Sequence, residues 1–311
     1  MADATWTLIP FLDLWGMTQQ TCEDILAQSA PTRILLINQG SSEEVSAQAR
    51  QYADQHHPRV LLWSFHPALP SLSAAWNRGL RFCWELGAEE VWVCNSDLRL
   101  DPDTLESLQR ARTAMHPLFV SGVGVREDSW PPPNKDWLFG LREALIRGDT
   151  FGGASRGGPD FSCFLLSREG HEKYPFDEGF VPCYGEDVDM HRRYLLGGDG
   201  HRIYSLNVPF LHIQGGSRTI NQSAEARARF ERVAQIGRQH YRAKWGGEPN
   251  REIWKTPFGE KGDDPLLLNA SDRDLAVWQW IRTLPATTPE LQQWYRDHPL
   301  VDLDGSEADR G

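Results

Sequence analysis

Apolar stretches alternate with stretches of helical spacing along the first hundred residues of the chain. Four stretches are almost continuously apolar, as is typical of strands buried on both faces of a sheet: TWTLIPFLDLW, RILLINQG, RVLLWSF and EEVWVCNSD. Each is followed by a stretch that predicts a helix, and such alternation favours a mostly parallel central sheet with helices on both faces. The pattern therefore predicts an α/β fold for this part of the chain.

Residues that commonly cap helices predict where three of these helices begin. The first helix is expected to begin at Thr18 or Thr21, and the second at the serines of SSEEVSAQ. In the fourth, Asp101 stands in the N-cap position and Pro102 in the first helical position, which together form a strong start signal.

The alternation ends after the apolar stretch HPLFVSGVGV, which closes at residue 125. Residues 126–160 then form a connection rich in proline and glycine, and connections of this length inside a compact domain are usually functional. The stretch FSCFLLS predicts a strand, and HRIYSLNVPFLHI predicts two short strands around Pro209. Apolar residues recur at helical spacing from Ser223 to Trp245, and a tryptophan-rich helical segment follows them.

Composition limits the class of protein but does not give its function. Of the 311 residues, 40% are hydrophobic and 24% are charged, which is ordinary for a globular protein. No apolar run approaches the roughly 20 residues that a membrane span needs, and the N-terminus lacks the basic cluster of a secretory signal. We therefore expect a cytoplasmic protein without a membrane span. Its cysteines form no CxxC pair, and because most of them have apolar surroundings they are expected to be reduced core residues: Cys22, Cys83, Cys94, Cys163 and Cys183.

The net charge of −11 makes the chain as a whole a poor ligand for polyanions. The helix predicted from Ser223 to Trp245 departs from this balance because it carries a basic face. The basic residues of this helix are Arg227, Arg229, Arg232, Arg238, Arg242 and Lys244. Such a face could follow a phosphate backbone, although a solvated face opposite an apolar stripe is the commoner explanation.

Three groups of polar residues stand where ligands bind in sheets of this kind, outside the carboxyl ends of the strands. They are NSD at residues 95–97, GEDVD at residues 185–189, and His212 at the end of a predicted strand. Carboxylate oxygens and an imidazole suit a hard divalent cation, so Asp97 and His212 are candidate metal ligands. Asp187 is then a candidate general base for an attacking hydroxyl.

Each of these residues also has a purely structural explanation. Asp97 could belong to a turn, Asp187 and Asp189 could be acids favoured by the dipole of a helix start, and His212 could be a core histidine. The order of the groups favours a site: an acid at a strand end, an acid pair at a helix start, and a histidine at another strand end.

This ordered set resembles the family 2 glycosyltransferases of the GT-A fold, over about residues 8–216. The stretches that match the family's motifs are IPFLD, NQGSSE, AAWNRG, NSD in the place of the D-x-D metal motif, DPDTLESL, FDEGF, EDVDMHRR, the later histidine and YRAKWGG. The resemblance implies a Rossmann-like nucleotide-binding domain with a mostly parallel central sheet, followed by a helical C-terminal extension.

The resemblance also divides the chain into a transferase domain and an extension. Residues 1–220 would form the GT-A domain, with 1–125 as the nucleotide-sugar-binding half and 126–220 as the acceptor and catalytic half. Residues 221–300 would form the helical extension, and residues 301–311 a disordered tail.

Individual roles follow from the same resemblance. Asp187 would be the catalytic base with Glu186 beside it, and Asp97 and His212 would hold Mn²⁺ or Mg²⁺. The expected acceptor contacts are Glu186, Asp189 and Trp137. The expected donor contacts are Pro10, Asp13, Asn38, Gly40, Ser41, Glu43, Asn77, Asn95, Ser96, Asp97 and Arg218.

Two positions depart from the family pattern. Asn95 replaces the first aspartate of the D-x-D motif, so Asp97 would keep the metal and Asn95 would face ribose or phosphate. Asn38 replaces the aspartate that usually contacts the base, and an amide both donates and accepts hydrogen bonds. A UDP-sugar is the expected donor, while Asn38 leaves thymidine and guanosine donors open.

The implied reaction moves a sugar from a nucleoside diphosphate sugar to a hydroxyl group. A single base opposite the leaving group would invert the anomeric carbon, and the glycine-rich residues 152–158 would close over the site. The acceptor would be a saccharide or, given the basic helix, a hydroxymethylated base in DNA. Two other classes stay open: a metal-dependent phosphohydrolase, and a non-catalytic protein that binds nucleotide sugars or carbohydrates.

Overall fold

The structure, a computed structural model, describes residues 5–125, 161–213, 224–249 and 251–259. The strands in these ranges are β1 (Thr5–Phe11), β2 (Thr32–Asn38), β3 (Val60–Ser64), β4 (Glu90–Cys94), β5 (Leu98–Leu100), β6 (Phe119–Val125), β7 (Cys163–Ser167) and β8 (Ile203–His212). The helices are α1 (Trp15–Leu26), α2 (Glu43–Gln55), α3 (Leu72–Glu85), α4 (Thr104–Met115), α5 (Arg168–Lys173), α6 (Glu186–Leu196) and α7 (Ala224–Trp245). The predicted α/β fold is confirmed.

The described strands form one sheet in the order β3-β2-β1-β4-β7-β6-β8-β5. The strands β3, β2, β1 and β4 are mutually parallel. Strand β7 runs antiparallel to both of its neighbours, and β8 is parallel to β6 but antiparallel to β5. The carboxyl ends of the four parallel strands therefore meet at one edge, where ligands bind in sheets of this kind.

Helices cover both faces of the sheet and enclose two apolar clusters. One cluster includes Trp15 of α1 and Tyr52 of α2, and the other includes Trp76 of α3 and Tyr194 of α6. Strand β1 lies between two parallel neighbours, and all seven of its residues are buried. Burial on both faces explains the continuous apolar pattern of this strand in the sequence.

Gly79 lets α3 approach the sheet closely. A Cβ at this position would lie 2.4 Å from Leu8 Cδ1 and 2.8 Å from Ile37 Cδ1. At these distances a side chain at position 79 would force Leu8 and Ile37 to shift, so glycine allows α3 to pack this closely on strands β1 and β2. The glycine of AAWNRG therefore has a packing role.

The predicted start of α1 is wrong. The helix begins at Trp15, before Thr18 and Thr21. Asp13 and Leu14 have left-handed backbone angles, with φ of 52° and 50°, and they turn the chain from β1 directly into the helix. A left-handed conformation is uncommon for leucine, so propensity alone does not anticipate this turn.

The start of α4 also differs from the prediction, whereas that of α2 is confirmed. Helix α4 begins at Thr104, with Asp103 at the N-cap, so Asp101 and Pro102 precede it. The carbonyl of Asp101 accepts a hydrogen bond of 3.0 Å from the Thr104 N–H and closes a turn there. In α2, the Ser42 hydroxyl at the N-cap accepts from a backbone N–H of the first turn.

The stretch predicted to form two short strands is one strand, β8. Its pairing with β6 changes register between Ser121 and Val123, opposite the segment that leads to Pro209. Because proline has no N–H to donate, this irregularity lets the strand continue past Pro209 with its pairing restored.

The prediction of reduced core cysteines is confirmed for Cys22, Cys83, Cys94 and Cys163, which are buried free thiols, whereas Cys183 is a free thiol that is only half-buried. None of the helices in the described ranges has an apolar stretch long enough to cross a membrane. Several predictions fall outside the described residues: Trp137, Arg218, the glycine-rich residues 152–158, and the chain beyond residue 259.

Candidate active site

Asp97 and His212 lie side by side at the edge of the sheet. Asp97 directly precedes β5, and in the antiparallel β5–β8 pair Leu98 is in register with His212. The imidazole Nε2 of His212 lies 3.2 Å from Asp97 Oδ1, and both side chains are partly exposed. The Ile213 N–H also donates to the Asp97 carbonyl at 2.9 Å. The sheet therefore brings together two residues 115 positions apart, as their order in the sequence suggests.

Ser162 fixes the other side of the imidazole. Its hydroxyl lies 3.3 Å from His212 Nδ1, and its carbonyl accepts from the Asn95 N–H at 2.8 Å. One residue thus touches both the NSD stretch and the histidine. A contact to Nδ1 leaves Nε2 directed at Asp97, which is the arrangement that orients an imidazole for metal binding. The sequence analysis missed Ser162, because only the antiparallel pairing of β7 with β4 brings it here.

The acid pair stands in the first turn of α6. Gly185 precedes the helix with φ of 102°, and Asp187 Oδ1 accepts a hydrogen bond of 2.8 Å from the Val188 N–H. Asp187 is partly exposed, whereas Glu186 is only 6% exposed. Burial, and then the charge of Asp187, raise the pKa of Glu186 to about 8. Glu186 is therefore mostly protonated at neutral pH, while Asp187 remains the more accessible carboxylate of the pair.

Tyr184 connects the start of α6 with the Asp97–His212 pair. Its side chain is 41% exposed, and its backbone φ of 76° is in the left-handed region. Burial, and then nearby negative charges that include Glu186 and Asp97, raise the pKa of Tyr184 to about 12. The phenol of Tyr184 therefore lies near both Glu186 and Asp97. The sequence analysis did not single out Tyr184, although it directly precedes the GEDVD stretch.

Asp13 and the loop after β2 form the part of the edge assigned to the donor. The Asp13 N–H donates to Ser41 Oγ at 2.8 Å, and Asp13 Oδ1 accepts from the Ser42 N–H at 3.0 Å. Gly40 has φ of 79°, and Glu43 is exposed in the first turn of α2. Backbone N–H groups and the start of a helix at such an edge suit a phosphate group.

Asn38 and Pro10 do not present their side chains to a ligand. Asn38 is completely buried, with Nδ2 donating to Ser46 Oγ at 2.8 Å and Oδ1 accepting from the Ser41 N–H at 2.9 Å. Pro10 is buried inside β1. The amide of Asn38 therefore shapes the loop that carries Ser41, and the structure does not support a direct contact with the base.

Asn77 is buried and bonded to other segments of the protein. It is 1% exposed, and its Nδ2 donates to the Phe176 carbonyl at 2.8 Å and to Glu178 Oε1 at 3.0 Å. Its Oδ1 accepts from the Phe176 N–H at 3.0 Å and lies 3.0 Å from His171 Nε2. Asn77 therefore ties α3 to the segment that leads into α6, which corrects its expected donor role.

Asp189 and Lys244 are buried, contrary to the roles expected for them. Asp189 has no exposed surface, so it does not offer a carboxylate to an acceptor. Lys244 is also buried and leaves the basic face of α7. Of that face, the structure shows Arg232, Arg238 and Arg242 as exposed, and it does not describe the side chains of the other two arginines.

The described residues offer two protein ligands for a cation. Across 5–125, 161–213, 224–249 and 251–259, no group of three His, Cys, Asp or Glu side chains could hold a metal ion. The Asp97–His212 pair is thus an incomplete site, one carboxylate and one imidazole, of the kind that Mg²⁺ or Mn²⁺ completes with water and substrate phosphates.

A mixed, mostly parallel sheet between two layers of helices is the architecture of the GT-A glycosyltransferases. The family model for glycosyl transferase family 2 matches residues 7–174, more than half of the 311-residue chain. The chain therefore belongs to this family, has the GT-A fold and is a glycosyltransferase.

A curated relative is similar over most of the chain. It is a galactofuranosyl glycosyltransferase of Leishmania donovani, 25% identical over 344 positions that cover 88% of this chain and 75% of the relative. The family match ends at residue 174, ahead of the acid pair of α6 and of His212. The family match therefore does not include Asp187 or His212.

Two solved structures are similar in overall architecture. The structure of Staphylococcus aureus TarS 1–349 has a TM-score of 0.49 at 10% identity, covering 91% of this chain and 81% of that chain. The mannosyltransferase PcManGT from Pyrobaculum calidifontis, in complex with GDP-Man and Mn²⁺, has a TM-score of 0.49 at 13% identity, covering 94% and 83%. At these values neither structure informs the donor or the metal of this chain.

Proposed function

We propose that this glycosyltransferase is metal-dependent and inverting, and that it moves a sugar from a nucleoside diphosphate sugar to a hydroxyl group. The observation that carries the proposal is the separation of 3.2 Å between Asp97 and His212 at the ligand-binding edge of the sheet. Tyr184 lies near enough to both Glu186 and Asp97 for their charges to act on it, and the partly exposed Asp187 follows Glu186 in the first turn of α6. These residues match the chemical needs of the reaction, which are a cation for the leaving diphosphate and a base for the acceptor.

The Asp97–His212 pair fits a divalent cation. Asp97 and His212 would each supply one ligand of Mn²⁺ or Mg²⁺, and the donor's diphosphate oxygens would occupy further positions. When bound, the cation would neutralise charge on the departing diphosphate, a contribution of several kcal/mol in enzymes of this kind. Ser162 would hold the imidazole in the tautomer that leaves Nε2 for the metal.

Asp187 is assigned as the base because Glu186 is in the wrong protonation state. With a pKa of about 8, Glu186 already carries a proton at neutral pH and cannot take one from the acceptor. Asp187 is partly exposed, and its Oδ1 accepts a hydrogen bond from the Val188 N–H. It would remove the acceptor's proton, and the neutral Glu186 would orient the acceptor through a hydrogen bond. A single base opposite the leaving group gives inversion.

The donor would be bound by the loop after β2 and by the NSD stretch. Asp13, Gly40 and Glu43 would face the nucleotide, with the buried Ser41 holding Asp13 in place, and Asn95 with Ser96 would face ribose or phosphate. Asn38 would act indirectly, by holding Ser41 in place. We propose a UDP-sugar as the donor, and galactofuranose is the first sugar to test because the curated relative is named for it.

The acceptor would be a saccharide hydroxyl. The nucleic-acid alternative depends on the basic face of α7, and burial of Lys244 removes one charge from that face. Arg242 is paired with Glu248, which weakens the face further. Arg232 and Arg238 are exposed on this face as well. A few exposed arginines on a chain of net charge −11 are weak support for a polyanion.

We keep the division at residues 125 and 220 as a proposal for the two halves and the extension. The donor half would hold Asp97, and the acceptor half would hold Asp187 and His212. Helix α7 belongs to the extension by this division, yet it packs against the start of α6. The extension would therefore contribute to the active site.

A donor screen tests the proposed function. Purified protein with Mn²⁺ is incubated with nucleoside diphosphate sugars and saccharide acceptors, and mass spectrometry detects a glycosylated product or hydrolysed donor. The proposal predicts a product with inverted anomeric configuration for at least one donor. Retention of configuration, or activity that needs no divalent cation, would contradict it.

A further inference from the structure

A buried ion network joins α7 to the first turn of α6. The Lys244 ammonium lies 2.7 Å from Asp189 Oδ1 and 2.7 Å from Asp177 Oδ2. The Lys244 side chain is 6% exposed and that of Asp189 is fully buried. His240, also on α7, lies 3.1 Å from Asp177 Oδ2. One lysine therefore connects two acidic residues on different segments around the start of α6.

Both oxygens of Asp189 are used inside the protein. Besides Lys244, the Trp245 indole N–H donates to Asp189 Oδ1 at 2.8 Å. The Arg193 Nε donates to Asp189 Oδ2 at 2.8 Å from the next turn of α6. A fully desolvated carboxylate with three donors has a fixed position, because each lost contact would leave an uncompensated charge. Asp187 lies two residues before it in the same turn.

Helix α7 also touches the backbone that leads into α6. A Cβ at Gly237 would lie 2.0 Å from the Tyr184 carbonyl oxygen, so α7 and this turn are in direct backbone contact. Gly185, which follows Tyr184, would place a Cβ 3.6 Å from the Gly237 carbonyl. The start of α6 is thus held from α7 at two places, by the Lys244–Asp189 pair and by close packing at Gly237.

We propose that Lys244 is a positioning residue for the transfer reaction: through Asp189 it fixes the turn that carries Asp187, and it offsets the negative charge that Asp189 places beside that base. The inference rests on the proposed function, since it takes Asp187 as the base. Lys244 lies outside residues 7–174, which match the family model. No role in the reaction was expected of it beyond its place in the basic face.

The charges around this turn are coupled. Lys244 and Trp245 face Asp189 from α7, and Arg193 faces it from α6. The charges of Asp187 and Asp189 both raise the pKa of Glu186, which shows that they act on the same turn. Cys183 and Tyr184, which precede the helix, are also titratable neighbours of Glu186.

The test compares the pH dependence of kcat/KM in three variants, with Mn²⁺ and donor in excess. Lys244→Met leaves the charge of Asp189 in place, so the pKa of Asp187 rises and the acid limb moves up by roughly half a pH unit. Asp189→Asn removes that charge and retains Lys244, so the limb moves down by a similar amount. Arg242→Met is the control, because Arg242 is exposed on the same helix. The acid limb of its pH profile should be that of the wild type.

A second readout separates positioning from binding. Lys244→Met should lower kcat roughly 10- to 100-fold, as expected when a reacting group is displaced by about 1 Å. Donor affinity, measured by calorimetry, should stay within twofold, because the donor edge lies on other elements. Lys244→Arg should restore much of kcat, since it returns the positive charge.

The outcomes distinguish this inference from the proposed function. A wild-type protein without transfer activity would contradict the proposed function. An active wild type whose pH limb is unchanged in both Lys244→Met and Asp189→Asn would overturn the positioning role alone. Asp189→Asn is nearly isosteric, so its opposite shift decides the matter even if Lys244→Met does not fold.

Discussion

Asp97 and His212 lie next to each other because β5 and β8 are hydrogen-bonded neighbours in the sheet. Asp187 is placed differently, on a helix whose first turn is held by ion pairs and packing from α7, outside the sheet. The first arrangement depends on strand register and tolerates changes in the surrounding side chains. The second depends on a few buried charges, so single substitutions far from the base should disturb it.

The largest effect should come from removing the divalent cation, which tests the sheet-based half of the comparison. Excess chelator should abolish transfer, and Mn²⁺ or Mg²⁺ should restore it, because a cation contributes several kcal/mol, on the order of 10³-fold or more in rate. The measurement is the initial rate before and after addition of metal. Undiminished turnover in excess chelator would rule out the metal role of Asp97 and His212.

Asp187→Asn should have the next largest effect, on the helix-based half. The amide oxygen can still accept from the Val188 N–H, so the helix start is retained while the base is lost. We expect the rate to fall roughly 10²- to 10⁴-fold with donor affinity unchanged. Glu186→Gln is the matched control and should cost far less, because Glu186 is already neutral at pH 7. If the two variants lose activity equally, the assignment of Asp187 as base fails.

Ser162→Ala should have a smaller effect, confined to the metal pair. Loss of the contact to His212 Nδ1 frees the imidazole to rotate, and such supporting contacts typically contribute roughly 10- to 100-fold in metal affinity. The expected result is a higher Mn²⁺ concentration for half-maximal activity, with the rate at saturating Mn²⁺ largely recovered. A lower rate at saturating Mn²⁺ with unchanged metal affinity would contradict this role.

The smallest expected effect concerns stability. The pKa of Glu186 is about 8 in the folded protein against an ordinary 4.5, so the folded state keeps a proton that the unfolded state releases. The free energy of unfolding should therefore fall as pH rises from about 4.5 toward 8. Glu186→Gln cannot ionise at this position. Its free energy of unfolding minus that of the wild type should therefore be higher at pH 8 than at pH 5, by about 1–3 kcal/mol. Denaturant titrations of both proteins at pH 5 and pH 8 measure this difference. The same difference at both pH values would contradict the raised pKa of Glu186.

Much of the fold follows from local patterns in the sequence. Continuous apolar runs identify the buried parallel strands, and Ser42 marks the start of α2. The start of α1 was missed because Leu14 adopts a left-handed conformation that its own preference disfavours. The single strand β8 was missed because the bulge beside Pro209 depends on its pairing with β6.

The sequence predicts those candidate-site residues that stand at the ends of strands. Asp97 and His212 were found because each ends or follows a strand. Asn77 was misassigned because its partners, such as the Phe176 backbone, come from a segment distant in sequence. Lys244 was counted with the arginines because its periodic position does not reveal the buried Asp189 opposite it. In both cases, contacts with segments distant in sequence determine where the side chain lies.

The most direct test is a titration of Mn²⁺ into the protein in the presence of UDP, in which electron paramagnetic resonance measures the concentration of free ion. The account predicts that the wild-type protein binds Mn²⁺ at a single site, and that Asp97→Asn and His212→Ala each weaken this binding at least roughly tenfold. Asp187→Asn should bind the ion as the wild type does. Unchanged Mn²⁺ affinity in Asp97→Asn would contradict the central claim that Asp97 and His212 hold a catalytic cation.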